Sequence, residues 1–267
     1  MLKMRNFLII VFVAFLAASC SKYNKVLNRG TSSEKYKMAT DLYEAKKFNK
    51  ALRLFEMVTA SYKGKPQMQR IQFMIAQSHF NTKDYYNAAY YFERFAANYP
   101  KSSKREESLF MSSKSYYLAS PKYSLDQTET KKALTSFQKY IDTYPDSKRL
   151  ADANKMVKGL QYKLEKKSFE IAKQYYEIGY FKSALTAFDN LTSEYLGTGF
   201  REEALFYKLK ASYELGMRST ERKKAGRLKA AIKAYDKLKR NYPESAFLKE
   251  SDKLLKDIKQ EQKIVNS

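Results

Sequence analysis

Along most of the chain apolar residues return every three or four positions, with Lys, Glu and Asn between them. Five segments repeat one pattern: a small residue, an aromatic or other large residue four later, and a large side chain three beyond. They are Ala51/Phe55/Val58, Ala88/Phe92/Phe95, Ala133/Phe137/Tyr140, Ala184/Phe188/Leu191 and Ala231/Tyr235/Leu238. The i, i+4, i+7 spacing puts each trio on one helical face. Pro100, Pro145 and Pro243 follow three of these alanines by twelve residues, where proline ends a helix. Upstream of each trio lies a partner helix with its own small residue: Ala39, Ala76, Ser113, Ala172 and Ala211. In repeats one, two and four the two small residues stand twelve apart. In repeats three and five they stand twenty apart, which predicts an eight-residue insertion between the helices. No strong breaker falls between Asp146 and Gly179, so this stretch predicts one long helix or two nearly collinear ones, with a soft point near Gly159.

The recurring small, small, aromatic, proline arrangement resembles the tetratricopeptide repeat (TPR) family, although the characteristic Trp of that family is absent. The resemblance covers about Ser32 to Ile264. It implies an all-α solenoid of about five helix pairs, with the long helix joining a front block of three repeats (34–145) to a rear block of two (146–267).

One segment breaks the periodicity. Phe7 to Leu16 is an unbroken apolar run of ten, preceded by Lys3 and Arg5 and followed by Ala17, Ala18, Ser19 and Cys20. Ten residues make a helix of about 15 Å, too short for roughly 30 Å of hydrocarbon. The layout is that of a secretory signal over residues 1–19. LAASC resembles a bacterial lipoprotein signal, with Ala17 in place of the usual larger residue, which implies acylation of Cys20. Ser21, not Asp, follows the cysteine, and SKYNK replaces any acidic run. By resemblance to sorted lipoproteins, this implies an outer membrane protein facing the periplasm. Residues 20–33 read as the acylated cysteine and a flexible polar tether.

Composition narrows the chemistry. One Cys and one His among 267 residues exclude an intramolecular disulfide and a Cys/His zinc site, and they disfavour a Ser-His-Asp mechanism. Eight Gly leave little room for phosphate-binding loops, and no such motif occurs. No cofactor, metal or enzymatic activity is expected. The formal charge of +23 falls to +21 once Lys3 and Arg5 are removed with the signal. Such a charge suits nucleic acid, but a secreted protein does not meet it. Acidic protein or lipid phosphate is the expected counterpart instead.

In TPR proteins the first helix of each repeat lines a concave groove. Counted from the small residue at position eight, positions five and twelve are Tyr36 and Tyr43, Phe73 and Phe80, Phe110 and Tyr117, and Phe169 and Tyr176. All eight are aromatic; repeat five breaks the ladder with Lys208 and Leu215. Lys114 and Lys173 lie between rungs, with Arg70 and Lys166 near. A groove with aromatic platforms and lysines suits an extended peptide with aromatic side chains and a free carboxylate. A stripe at helical spacing serves packing between helices equally well, so both readings stand.

Arg218, Arg222, Lys223, Lys224 and Arg227 crowd the second insertion, with Glu221 opposing. They form either a solvated helix face or a patch that docks on acidic protein or phosphate. His79 reads as a core histidine inside its helix pair. DQTET at Asp126–Thr130 reads as a turn and helix N-cap.

A signal ending in LAASC, five TPR-like repeats, an insertion in the third, and the segments LDQTETKKALTSFQKYIDTYPDSKRLADA and Tyr162–Tyr195 together resemble the BamD (YfiO) family of outer membrane assembly lipoproteins. That resemblance implies a non-enzymatic subunit of the machine that folds β-barrels into the outer membrane. Its partners would be a BamA-like barrel insertase, held by the rear repeats, and unfolded outer membrane proteins, received by the front repeats. The alternative is another periplasmic TPR adaptor lipoprotein, for example one that coordinates cell-wall and envelope growth.

Overall fold

The computed structural model describes residues 22–265, so the expected signal peptide over 1–19 and Cys20 lie outside the described residues. Twelve α-helices follow, with one 3₁₀ turn (Ala60–Tyr62), and no strand occurs among the described residues. They are α1 (22–29), α2 (Ser32–Glu44), α3 (Phe48–Val58), α4 (Gln67–Asn81), α5 (Tyr85–Asn98), α6 (Arg105–Ala119), α7 (Thr128–Thr143), α8 (Leu150–Glu177), α9 (Phe181–Glu194), α10 (Arg201–Met217), α11 (Glu221–Asn241) and α12 (Leu248–Val265). None of the described helices is long and apolar enough to cross a membrane.

The repeat pattern explains the pairing. All ten small residues read from it are fully buried, from Ala39 and Ala51 to Ala211 and Ala231. Without bulk at these points, the axes of α2 and α3, α4 and α5, α6 and α7, and α10 and α11 approach closely. Ser113 replaces alanine in the third pair and meets its polar requirement through Ser136 Oγ at 2.8 Å and the Leu109 carbonyl at 3.1 Å. The trio aromatics Phe55, Phe92, Phe137 and Phe188 are also fully buried, and Tyr235 nearly so.

Two kinds of turn recur. Within repeats one, two and four, the first helix ends at a residue of positive φ: Lys46 (57°), Lys83 (62°) and Gly179 (82°). At each, the next N–H reaches back five residues: Lys47 to Leu42, Asp84 to His79 and Tyr180 to Tyr175, at 2.8–2.9 Å. This is the Schellman closure, in which a left-handed residue turns the chain and satisfies the last carbonyls. Between repeats, a Tyr and the Ser or Thr three residues later form a second turn. Ser102, Ser147, Thr198 and Ser245 each donate their N–H to the tyrosine carbonyl, and each side-chain oxygen accepts from the amide two residues on at 3.0–3.2 Å. Sequence reading stopped at the proline and missed the hydroxyl that closes the turn onto the residue before the following helix.

The insertions take different forms. In repeat three it is the segment 120–127, where Gln127 is buried and donates to the carbonyls of Lys122 and Leu125 at 2.8 and 2.9 Å. In repeat five it is absorbed as helix: α11 runs 21 residues where α9 runs 14.

The chain forms two compact units. Among the described residues, the first takes 22–121 with Thr128–Val157, and the second takes Lys122–Gln127 with 158–265. The division falls inside α8, a continuous helix, and not at the expected 145/146. The physical reason is that the first turns of α8 complete the third pair: Arg149 bridges Glu106 at 3.1 Å and Ala153 is fully buried. The expected tether also differs from expectation. Residues 22–29 are helical, Leu27 joins the first core cluster, and Tyr23 packs against that cluster with Lys50 over its ring at 5.1 Å. Leu27 gains by burial what a free polar tether would not.

Candidate functional site

The aromatic ladder divides by position. Position-five rings turn into their own repeat: Phe73 meets Phe92 and Phe95 at 6.0 and 5.3 Å, Phe110 meets Tyr140 at 5.5 Å, and Phe169 meets Phe188 at 5.8 Å. Tyr36 packs on Tyr62 at 5.1 Å. Phe110 and Phe169 expose only 6% and 3% of their surface, so these two rungs serve the core and present no platform to a peptide. Position-twelve rings close the intra-repeat turn by meeting the residue five further on. Tyr43–Phe48, Phe80–Tyr85 and Tyr176–Phe181 are 5.5, 5.6 and 5.8 Å apart, the first two edge to face. Tyr117 lies before the insertion, where that geometry is interrupted; it is half-buried.

In the first unit a cleft of about 550 Å³ opens over part of the ladder. Tyr43, Phe73, Met74, Phe95 and Pro66 supply its apolar wall, and Gln69, Gln77, Arg70, Lys104 and Glu44 its polar groups. α2 brings Tyr43 and Glu44; α4 brings Arg70, Phe73 and Gln77, which its i, i+3, i+7 spacing puts on one face. Tyr43 donates to the Gln77 side-chain oxygen, fixing both. Burial, and then the charge of Glu107, raise the Tyr43 phenol, so it stays a protonated donor. Lys104 stands over the Phe73 ring at 5.4 Å and pairs with Glu107 at 2.8 Å. Arg70 faces Glu44 at 3.6 Å, with both side chains more than half exposed. Exposed pairs of this kind contribute little to stability, so an incoming carboxylate could replace Glu44 on Arg70 at small cost. The expected cations Lys114 and Lys173 lie elsewhere. Lys114 stands 5.8 Å from the Phe80 ring, and Lys173 5.4 Å from the Tyr207 ring, whose hydroxyl contact raises the lysine. Lys104, absent from the sequence reading, is the lysine that lines this cleft. It precedes α6 and carries no periodic signal.

In the second unit the ladder does not stop at repeat five. Tyr207, one residue before the expected rung, lies 5.8 Å from Phe188 in a stacked arrangement and 5.4 Å from Tyr176 edge to face. Lys210 sits 5.1–5.6 Å from Phe206, Tyr176 and Tyr207. Lys208, at the nominal rung, pairs with Asp189. The register slips by one, and a count from the small residue cannot show it.

The basic patch is partly committed within the fold. Arg218 pairs with Glu214 at 2.9 Å and covers Phe181; Lys224 pairs with Glu261 of α12 at 2.6 Å; Arg227 donates to Ser219 Oγ at 2.6 Å. Glu221 is thus not the only acid opposing it. Arg222 and Lys223 remain exposed. His79 is buried, stacks on Tyr91 at 4.9 Å and bonds through Nδ1 to Asp84 at 2.9 Å. Among the described residues no group of His, Cys, Asp and Glu is arranged to hold a metal ion.

A family model, YfiO, described as an outer membrane lipoprotein, matches residues 28–228. A protein of Aquifex aeolicus, provisionally named outer membrane protein assembly factor BamD, is 26% identical over 200 residues. The match takes in 72% of this chain and 63% of that one, so the chain spans under two thirds of this relative's length. Outer membrane protein assembly factor BamD of Neisseria meningitidis serogroup B is 22% identical over 263 residues, covering 92% of this chain and 95% of that one. A solved structure of nearly identical TPR-like repeats from Podosopora anserina covers 78% of this chain and 96% of its own, at 14% identity and a TM-score of 0.33.

Proposed function

The chain belongs to the YfiO family of outer membrane lipoproteins, and from that premise we propose that it is a non-enzymatic subunit of outer membrane β-barrel assembly. In this reading it is anchored by an acylated Cys20 and faces the periplasm. Its front repeats receive unfolded outer membrane proteins, and its rear repeats hold a BamA-like insertase. The relatives named as BamD assembly factors support the class.

The observation that carries the client role is the cleft of the first unit. An apolar wall of Tyr43, Phe73 and Phe95 stands beside two cations, Arg70 and Lys104, and the exposed Arg70–Glu44 pair can exchange its carboxylate at small cost. A barrel segment ending in an aromatic residue offers a ring for the wall and a terminal carboxylate for the cations. Ring burial supplies most of the affinity, and the charge pair sets orientation and arrival rate. Such a peptide should bind the chain with an affinity that falls about tenfold or more in Phe73→Ala, a loss of about 1.4 kcal/mol. Phe73 also packs on Phe92 and Phe95, so Arg70→Gln/Lys104→Gln is the companion variant, expected to bind more weakly with unchanged melting. Unaltered affinity in both, measured by titration calorimetry, sinks this reading of the cleft. A pull-down from detergent-solubilised envelope tests the insertase, which should be recovered with the chain. Cys20→Ser should release the chain from membranes, and continued stable attachment would refute the acyl anchor.

A further inference from the structure

The exposed face of α11 carries cations in a register that the fold does not use. On a helix of 100° per residue, Arg222, Lys229, Lys233 and Arg240 fall within about 20° of one line, with Lys237 some 60° to one side. All five are exposed. The buried residues of α11, Leu228, Ala231, Tyr235 and Leu238, lie on the opposite side, facing the rest of the second unit. From Arg222 to Arg240 the line runs about 27 Å at 1.5 Å per residue. Among the described residues none of the five makes an ion pair, whereas Arg218, Lys224 and Lys210 of the same unit all do. One acid, Asp236, stands on this face.

A line of unpaired like charges repels itself, so it adds nothing to folding and needs another account. The neighbours on the face are small: Gly226, Ala225 and Ala230, all exposed. No exposed aromatic or large aliphatic side chain of α11 stands among them. The centre of a protein interface is built the other way, rich in aromatics and depleted of lysine. A straight cationic line on a small-residue background instead matches a flat, laterally mobile array of negative charge. The family's place at a membrane supplies one in the phosphates of anionic lipid headgroups.

We propose that the outer face of α11 is an electrostatic contact surface for an anionic bilayer leaflet, with Arg222, Lys229, Lys233 and Arg240 as its central charges and Lys237 at its edge. The contact is peripheral, inserts no side chain into the hydrocarbon, and is released by salt within the Debye range. It is independent of the cleft of the first unit.

The test uses residues 21–267, which contain every helix described above and lack both the apolar segment and Cys20. Co-sedimentation is measured with vesicles of phosphatidylcholine alone and with vesicles containing about 30% phosphatidylglycerol. Binding should require the anionic lipid and fall steeply as salt rises. Each basic residue near such a surface contributes about 1 kcal/mol, so Arg222→Gln/Lys229→Gln/Lys233→Gln/Arg240→Gln should lower the partition coefficient at least tenfold. A control removes the same charge from exposed lysines of the first unit, Lys37→Gln/Lys46→Gln/Lys47→Gln/Lys63→Gln, and should lose no more than two- to threefold. Equal losses in the two variants would mean net charge alone drives adsorption, and would overturn the proposal. So would the absence of lipid-dependent binding in the parent. Unchanged vesicle binding by the α11 variant, with loss of an acidic protein from envelope pull-downs, would assign the face to a protein. No variant should melt below the parent, because none of the substituted side chains is buried.

Discussion

Glu106 links the start of α6 to the end of the third repeat. Its Oε1 accepts from Ser147 Oγ at 2.6 Å, from Tyr140 Oη at 3.1 Å and from Arg149 Nη1 at 3.1 Å. The Ser147 hydrogen bond, joined by those from Tyr140 and Arg149, outweighs burial and holds the carboxyl below its ordinary 4.5. A carboxyl lowered in the folded state stabilises fully above its unfolded value. The contribution is lost as pH falls through the folded value. The melting temperature should therefore drop below about pH 4.5, and Glu106→Gln should flatten part of that drop in thermal scans at pH 3 to 7. At neutral pH, Glu106→Ala should cost about 1–2 kcal/mol, towards the low end because a third of the side chain is exposed. None of this was legible beforehand. Glu106 and Arg149 are 43 residues apart, and no local pattern joins them.

The helix pairs were legible because their cause is local. A small residue every repeat marks where two helix axes approach, and all ten of those positions are buried without remainder. The turns were less legible, since their chemistry rests on single residues. Lys46 and Lys83 occupy left-handed backbone that glycine adopts freely, as Gly179 does in repeat four. Lys83→Gly should therefore stabilise by about 0.5–1 kcal/mol, read from urea unfolding. Destabilisation would mean that the lysine side chain holds the turn. The same logic explains the ladder. Seven-residue spacing places two rings on one face, but whether that face meets a neighbour or solvent depends on the packing around it. Phe110 and Phe169 fell to the core, while Tyr43 and Phe73 border a cleft.

Each repeat leaves a face that only a neighbouring element can cover. In the second unit α12 covers α10 and α11. Ile258 and Ser251 are fully buried, and Ile258 joins Leu209, Leu228 and Tyr235 in one cluster. Asp252 accepts from Tyr235 Oη at 2.5 Å. Ile258→Ala should cost about 2–5 kcal/mol, and calorimetry should show the loss in the transition that unfolds the second unit. A loss below 1 kcal/mol would show that α12 is dispensable as a cover for α10 and α11.

The all-helical class, the five pairs and their contact residues follow from periodicity, because a helix face is defined by neighbours three and four positions away; the family followed from resemblance to its motifs. The excess of positive charge was equally plain. Which cations are unpaired was not. Lys224 meets Glu261 across 37 residues, while Arg222, two positions before it, meets no carboxylate among the described residues. Nor could the chain order show that Lys104 would stand over Phe73, or that the two units would divide inside α8 and not at the expected boundary after Pro145. Pairing, exposure and cleft walls depend on which distant segments arrive at one place. That is a property of the packed helices, and no spacing along a single helix encodes it.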